Sequence, residues 1–220
     1  MLLALNGCSE LEQVVLDLEQ AIPSGLEQAL PEKNRHQDIT YKETRPVFWE
    51  KLYGSGGRTL YCDKGFGKRH GHNINIEHIF PMSWATKSLK CGTRNQCRDY
   101  SSRFNRIESD LHNLYPALAE INDARGAMSF AVIKGEKHIR AGCDFEIDKR
   151  SYKAEPRPAV RGEIARAMLY MADTYAELKL FESQRKLMEK WHREDPPNSE
   201  EKRRNSLIES IQGNRNPYID

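Results

Sequence analysis

Residues 73–84 read NINIEHIFPMSW, and in them a carboxylate, Glu77, stands directly beside an imidazole, His78. The run alternates polar and apolar residues as strands do, and Pro81 closes it. Neighbours on a strand point to opposite faces. The pair therefore cannot form a helical clamp of the HExxH kind, whose ligands lie four apart on one face. Either one group is buried and the other exposed, or the strand end is distorted and both reach one site. A carboxamide, Asn122, follows in EINDAR, and six bases lie between: Lys87, Lys90, Arg94, Arg98, Arg103 and Arg106. Oxygen donors such as Glu77 and Asn122 suit a hard divalent cation, magnesium or calcium, better than zinc. A cation held by two protein groups keeps positions for water and phosphate oxygens. An imidazole with an ordinary pKa near 6.5 can take a proton from an attacking water. Arginines supply phosphate contacts. The chemistry these parts point to is metal-assisted phosphodiester hydrolysis. Each part has a plainer explanation: a core histidine, a helix-surface asparagine, a solvated basic loop. The force lies in their order.

The elements that must position these groups can be outlined from periodicity. ELEQVVLDLEQAI places Leu11, Val14, Val15, Leu18 and Ile22 at helical spacing, with an acidic outer face, and Pro23 and Gly25 stop it. A short helix is expected over 45–53, carrying Phe48 and Trp49. A flexible basic stretch over 54–75 surrounds a short strand, RTLYC. Strand 73–80 follows, then a basic loop over 85–107 with Asp99 as its one acid. A loop of that length inside a domain is functional or disordered. A helix is expected to begin near Pro116 and to end at Gly126. Strands are expected around SFAVIKG and CDFEID. A long helix then carries Ile164, Met168, Met171 and Tyr175 on one face, as core and not as a cofactor box. Helices over about 181–194 and in the tail complete the chain. No repeat, low-complexity tract or second domain is visible.

Composition narrows the class. The chain has 220 residues, enough for a real core, with 38% hydrophobic and 30% charged residues. No apolar run approaches the ~18 residues that a membrane span needs. The net charge of +2 hides an asymmetry. Residues 1–33 carry six acids (Glu10, Glu12, Asp17, Glu19, Glu27, Glu32) and one base (Lys33), so the remainder is basic and mildly favours polyanionic partners. Of five cysteines none forms a CxxC pair, which disfavours a zinc knuckle. A short disulfide could close the turn-rich loop between Cys91 and Cys97, and Cys62 and Cys143 would then pair at long range. Free thiols in a reducing compartment are the alternative. Cys8, in LALNGCSE, resembles a lipoprotein processing site with a short apolar run before it.

NIEHIFPMSW, IESDLHNLYPALAEIND-R, AEP---RG-IARAMLYM and QGNRNPYI, in that order, resemble the bacterial endonuclease I family. The likeness runs from about residue 35 to 219. It implies an α+β, mostly helical single domain over 34–220 with a ββα-metal catalytic motif, preceded by an acidic N-terminal region over 1–33. It implies a sequence-nonspecific, magnesium-dependent endonuclease, with calcium or manganese as substitutes, that cuts DNA and RNA and leaves 5′-phosphates. By motif, His78 is the general base, Glu77 and Asn122 are the metal ligands, and Arg94 binds the scissile phosphate. Glu108 orients the histidine ring. His112 and Asn113 are structural. Asp123 and Ala124 stand where the family has Gly-Asp, and Arg125 is kept. The family's cysteines imply pairs Cys91–Cys97 and Cys62–Cys143 and a periplasmic or secreted location, with Cys8 a possible anchor. The expected molecule is a monomer that meets nucleic acid through phosphates and uses no small-molecule cofactor. It meets a membrane only if Cys8 is lipidated. The alternatives are a non-catalytic nucleic-acid-binding protein and a site-specific nicking enzyme on the same core.

Overall fold

A computed structural model describes residues 39–135, 138–140 and 142–220. The expected acidic helix over 10–22 and Cys8 lie outside the described residues. The first described helix, α1 (Tyr41–Val47), starts four residues before the expected position and continues through a wider π-type turn, Phe48–Leu52. Thr40 and Glu43 form a capping box at its start, satisfying N–H groups that helix geometry leaves unpaired. RTLYC is not a strand. Only Gly57–Arg58 (β1) pairs, with Gly65–Phe66 (β2). Thr59, Leu60 and Tyr61 instead turn into the core and are almost fully buried.

The next strand, β3 (Ile74–His78), pairs antiparallel with β4 (Leu114–Leu118), so that Glu77 faces Tyr115 and His78 faces Leu114. This corrects the expected helix start near Pro116, which lies inside β4. Proline lacks an N–H, but a two-stranded ladder has edges that need none. Helix α5 (Ala119–Arg125) follows directly. Strand, strand and helix thus make one ββα unit.

The expected basic loop over 85–107 is also corrected. It folds into α2 (Met82–Leu89), α3 (Arg94–Tyr100) and α4 (Ser102–Glu108). A thin apolar line, Met82, Ala85, Cys97, Phe104 and Ile107, is buried on one side. Each large member contributes about 1.5–3 kcal/mol by leaving water. Caps set the boundaries. Thr93 Oγ1 accepts from the Gln96 N–H at 3.3 Å while Thr93 N donates to Gln96 Oε1 at 2.8 Å. Ser101 caps α4 through the Phe104 N–H. The Cys91–Cys97 disulfide joins the loop before α3 to its middle.

Strands β5 (Ser129–Phe130), β6 (His138–Arg140), β7 (Cys143–Asp148) and β8 (Lys153–Pro156) form a small sheet in the order β5-β8-β7-β6. Cys62–Cys143 ties it to the segment after β1. Helices α6 (Arg161–Thr174), α7 (Glu182–Glu194) and α8 (Ser199–Gln212) complete the fold. Ile164, Met168, Met171 and Tyr175 are all core, as their spacing predicts. Where α6 begins, a Cβ on Gly162 would lie 2.1 Å from the Asp195 carbonyl oxygen, so only glycine allows the two backbones to meet there. Arg166, one turn on, is buried in a bidentate pair with Glu201 at 2.7 Å.

Candidate active site

The site begins where β3 ends. Glu77 points into the protein and is only 2% exposed. Its Oε1 accepts from the Tyr61 hydroxyl at 2.6 Å and from Arg125 Nη1 at 3.0 Å. Burial pushes its carboxyl up, against the pull of Arg125. Arg125 is itself buried. It donates onward to the carbonyls of His78, at 3.0 Å, and Ile79, at 2.7 Å, and lies over the Phe130 ring. One guanidinium from α5 thus clasps three successive residues at the strand end. Burying it without those acceptors would cost several kcal/mol.

His78 is 8% exposed. Its Nε2 lies 3.0 Å from the Glu108 carbonyl oxygen. A carbonyl only accepts, so Nε2 carries the hydrogen and the lone pair resides on Nδ1. Burial, then Arg94, lowers the ring's pKa to about 3 against that hydrogen bond. The imidazole is therefore neutral at pH 7. Tyr41 of α1 covers one side, with ring centroids 5.0 Å apart.

The chain reverses after α4, and this reversal brings Glu108 to His78. Glu108 reaches the ring through its backbone carbonyl, and not through its carboxylate. The carboxylate is fully buried between two arginines of α3. Arg94 Nε donates to Oε1 at 2.5 Å, and Arg98 holds both oxygens, at 2.7 and 2.8 Å. Residues four apart share a helix face, so Arg94 and Arg98 approach Glu108 together. Arg94 uses only its Nε there, and its side chain is 43% exposed. Among the described residues its two terminal nitrogens make no hydrogen bond, and a guanidinium fork of this kind matches a phosphate. The reversal is held from behind. Asp110 accepts from the Tyr170 and Tyr175 hydroxyls at 2.8 and 2.7 Å and from Gln212 Nε2 at 3.0 Å. Asn113 bonds both the N–H and the carbonyl of Phe80, and His112 Nε2 meets the Asn214 carbonyl. The QGNRNPYI motif therefore acts at a distance, as the brace behind Glu108.

Asn122 lies on α5, one turn before Arg125. Its Nδ2 donates to Asn75 Oδ1 at 2.8 Å and to the Ile76 carbonyl at 3.2 Å. With the nitrogen so committed, the carboxamide oxygen is the atom left for a cation. Asn75 and Glu77 share a face of β3, and α5 packs on that strand. Glu77 and Asn122 therefore flank one strand–helix junction and offer one carboxylate and one amide oxygen. That donor set fits a hard cation that keeps much of its water. Among the described residues no group of three or more His, Cys, Asp or Glu side chains could hold a metal ion.

All five residues singled out in the sequence cluster at this ββα unit and the helices between its strands. Four others were given no individual role: Tyr61 and Arg125 around Glu77, Arg98 beside Arg94, and Tyr41 on His78. Arg98 carried a local signal, its four-residue step from Arg94, and Arg125 stood as a kept residue of the family motif. The remaining contacts join residues far apart in the chain.

A histidine at the end of the first strand, a carboxylate beside it and an amide on the helix that closes the finger define a ββα-metal type of motif. The chain belongs to the endonuclease I family, whose model matches residues 32–220. It is 35% identical over 194 residues to a periplasmic deoxyribonuclease of Aeromonas hydrophila, covering 77% of this chain and 81% of the relative. An extracellular deoxyribonuclease of the same organism is 36% identical, over 77% and 84%. An extracellular ribonuclease of Bacillus amyloliquefaciens is 37% identical over 51% of this chain and 43% of its own.

Proposed function

We propose that the protein is an endonuclease that hydrolyses phosphodiester bonds in DNA and RNA with little sequence preference, using magnesium and leaving 5′-phosphates. One observation carries the reading. The Nε2 hydrogen of His78 is committed to a backbone carbonyl, so a neutral imidazole presents Nδ1 beside an exposed arginine fork. His78 takes the proton from the attacking water. Arg94 binds a nonbridging oxygen of the phosphate, and Glu108 and Arg98 hold that guanidinium in place. Glu77 and Asn122 would hold the cation, which when bound neutralises charge on the phosphate and lowers the pKa of its water. Buried between Arg125 and Tyr61, Glu77 keeps one fixed direction. Two disulfides and the named locations of the Aeromonas relatives support a periplasmic or secreted setting. No helix among the described residues is long and apolar enough to cross a membrane.

Nicking of supercoiled plasmid by the oxidised protein tests this. His78→Ala should slow cleavage about 10²-fold or more while binding survives. EDTA should abolish cutting, and magnesium should restore it. Cleavage by His78→Ala near the rate of the unchanged chain would remove the general base, and full activity in EDTA would remove the cation.

A further inference from the structure

The basic stretch after β2 takes no part in the site described above. Residues 67–73 read GKRHGHN, and most of them are exposed. The His70 ring lies flat on Trp49, with centroids 3.8 Å apart and planes 13° from parallel. Trp49 is held from behind by Phe48, edge-on at 4.8 Å, and by Phe66 at 6.1 Å. Lys68, Arg69 and His72 line the same open groove, of about 900 Å³, with Glu50 its acid. Lys68 and Arg69 form no ion pair among the described residues. A two-ring ledge beside cations that form no ion pair among the described residues is what a nucleic-acid strand recognises.

The ledge lies on a line from the candidate active site. Tyr41, Arg45 and Trp49 are four residues apart and share one helix face. Tyr41 contacts His78, while the Arg94 and Arg98 guanidinia lie over its ring at 5.7 and 5.5 Å. Arg45 is exposed between the two aromatics. At 1.5 Å per residue Trp49 is about 12 Å along the helix from Tyr41, a span of about three or four stacked nucleotides.

We propose that the Trp49–His70 stack is a subsite for an unpaired base, with Lys68 and Arg69 on the flanking phosphates. It rests on the reading of the chain as a nuclease and specifies the strand that the nuclease holds. In a duplex each base face is covered by its neighbours, and only edges show in the grooves. A flat ring ledge engages faces, so it selects single-stranded DNA or RNA over duplex.

The test uses the full oxidised chain carrying His78→Ala, so that the probes survive. Binding of a fluorescein-labelled single-stranded 16-mer and of the same sequence as a duplex is followed by anisotropy. Adding His70→Ala should weaken the single-stranded probe about ten-fold and the duplex less than about two-fold. Lys68→Ala with Arg69→Ala should weaken both probes and lower the salt slope by about two. Unchanged single-strand affinity in His70→Ala overturns the subsite, as does an equal loss on both probes. Failure of the nuclease reading shows separately, as plasmid left intact by the unmutated chain.

Discussion

At the scale of single residues, the site depends on charges held where water cannot reach them. Arg125 is the clearest case. It makes no expected contact with substrate, yet it fixes the direction of Glu77 and the carbonyls of His78 and Ile79. It is a positioning residue. Arg125→Met leaves a buried carboxylate and two carbonyls without their donor, and stability should fall by about 3–5 kcal/mol. Urea unfolding measures this. Plasmid cleavage by the folded fraction should also fall, and magnesium should be needed at higher concentration. A variant as stable as the unchanged chain would show that Tyr61 alone can hold Glu77.

At the scale of elements, α3 is seven residues long and carries Arg94, Arg98 and half of a disulfide. So short a helix is marginal in water, and its stability must come from Thr93, Phe104 packing nearby and the Cys91–Cys97 link. Closing so small a loop is worth about 2–3 kcal/mol in the chain-entropy account. Cys91→Ser with Cys97→Ser should lower the unfolding free energy by about that much and weaken phosphate binding more than it weakens the proton transfer by His78. The measurable outcome is a rise in KM that exceeds the fall in kcat. A fall in kcat at constant KM would place the effect of the disulfide elsewhere.

At the scale of the whole molecule, α6 joins the site's brace to a cleft on another side. Glu163, half-buried near the start of α6, lines a cavity of about 370 Å³ with Tyr53, Arg157, Glu201 and Arg204. Burial and the Glu201 carboxylate push its carboxyl up to about 7, against Arg204, Arg166 and Arg157. A raised carboxyl pKa means that the folded state holds the proton more tightly than the unfolded chain. Its contribution is therefore complete below about pH 4.5 and is lost as pH rises through 7. Glu163→Gln should be more stable than the unchanged protein by about 1–3 kcal/mol at pH 8, and the gap should close towards pH 4.5. Unfolding curves at the two pH values decide it. A gap independent of pH would mean that packing, and not titration, sets the difference.

How much of this was legible in the sequence follows from the range of each interaction. Glu77, His78 and Asn122 stand in short stretches whose chemistry is local to the residue type, and Arg94 and Glu108 match positions of the family motifs. They could be picked out before any fold was known, as could the apolar face of α6 and the two cysteine pairs. The helices between β3 and β4 were missed because their apolar line is thin and their surface basic, which in one dimension reads as a loop. Pro116 suggested a helix start because its place on an edge ladder is a tertiary fact. The sequence alone named the candidate groups, Glu77, His78 and Asn122 through side-chain type and spacing, Arg94 and Glu108 through the family motifs. Only the tertiary structure decided how they are aimed: Glu77 turned inward to Arg125 and Tyr61, His78 bound by the Glu108 carbonyl, Arg94 steadied by the Glu108 carboxylate. Hydrogen bonds act over about 3 Å, and partners dozens of residues apart come that close only when the chain has folded.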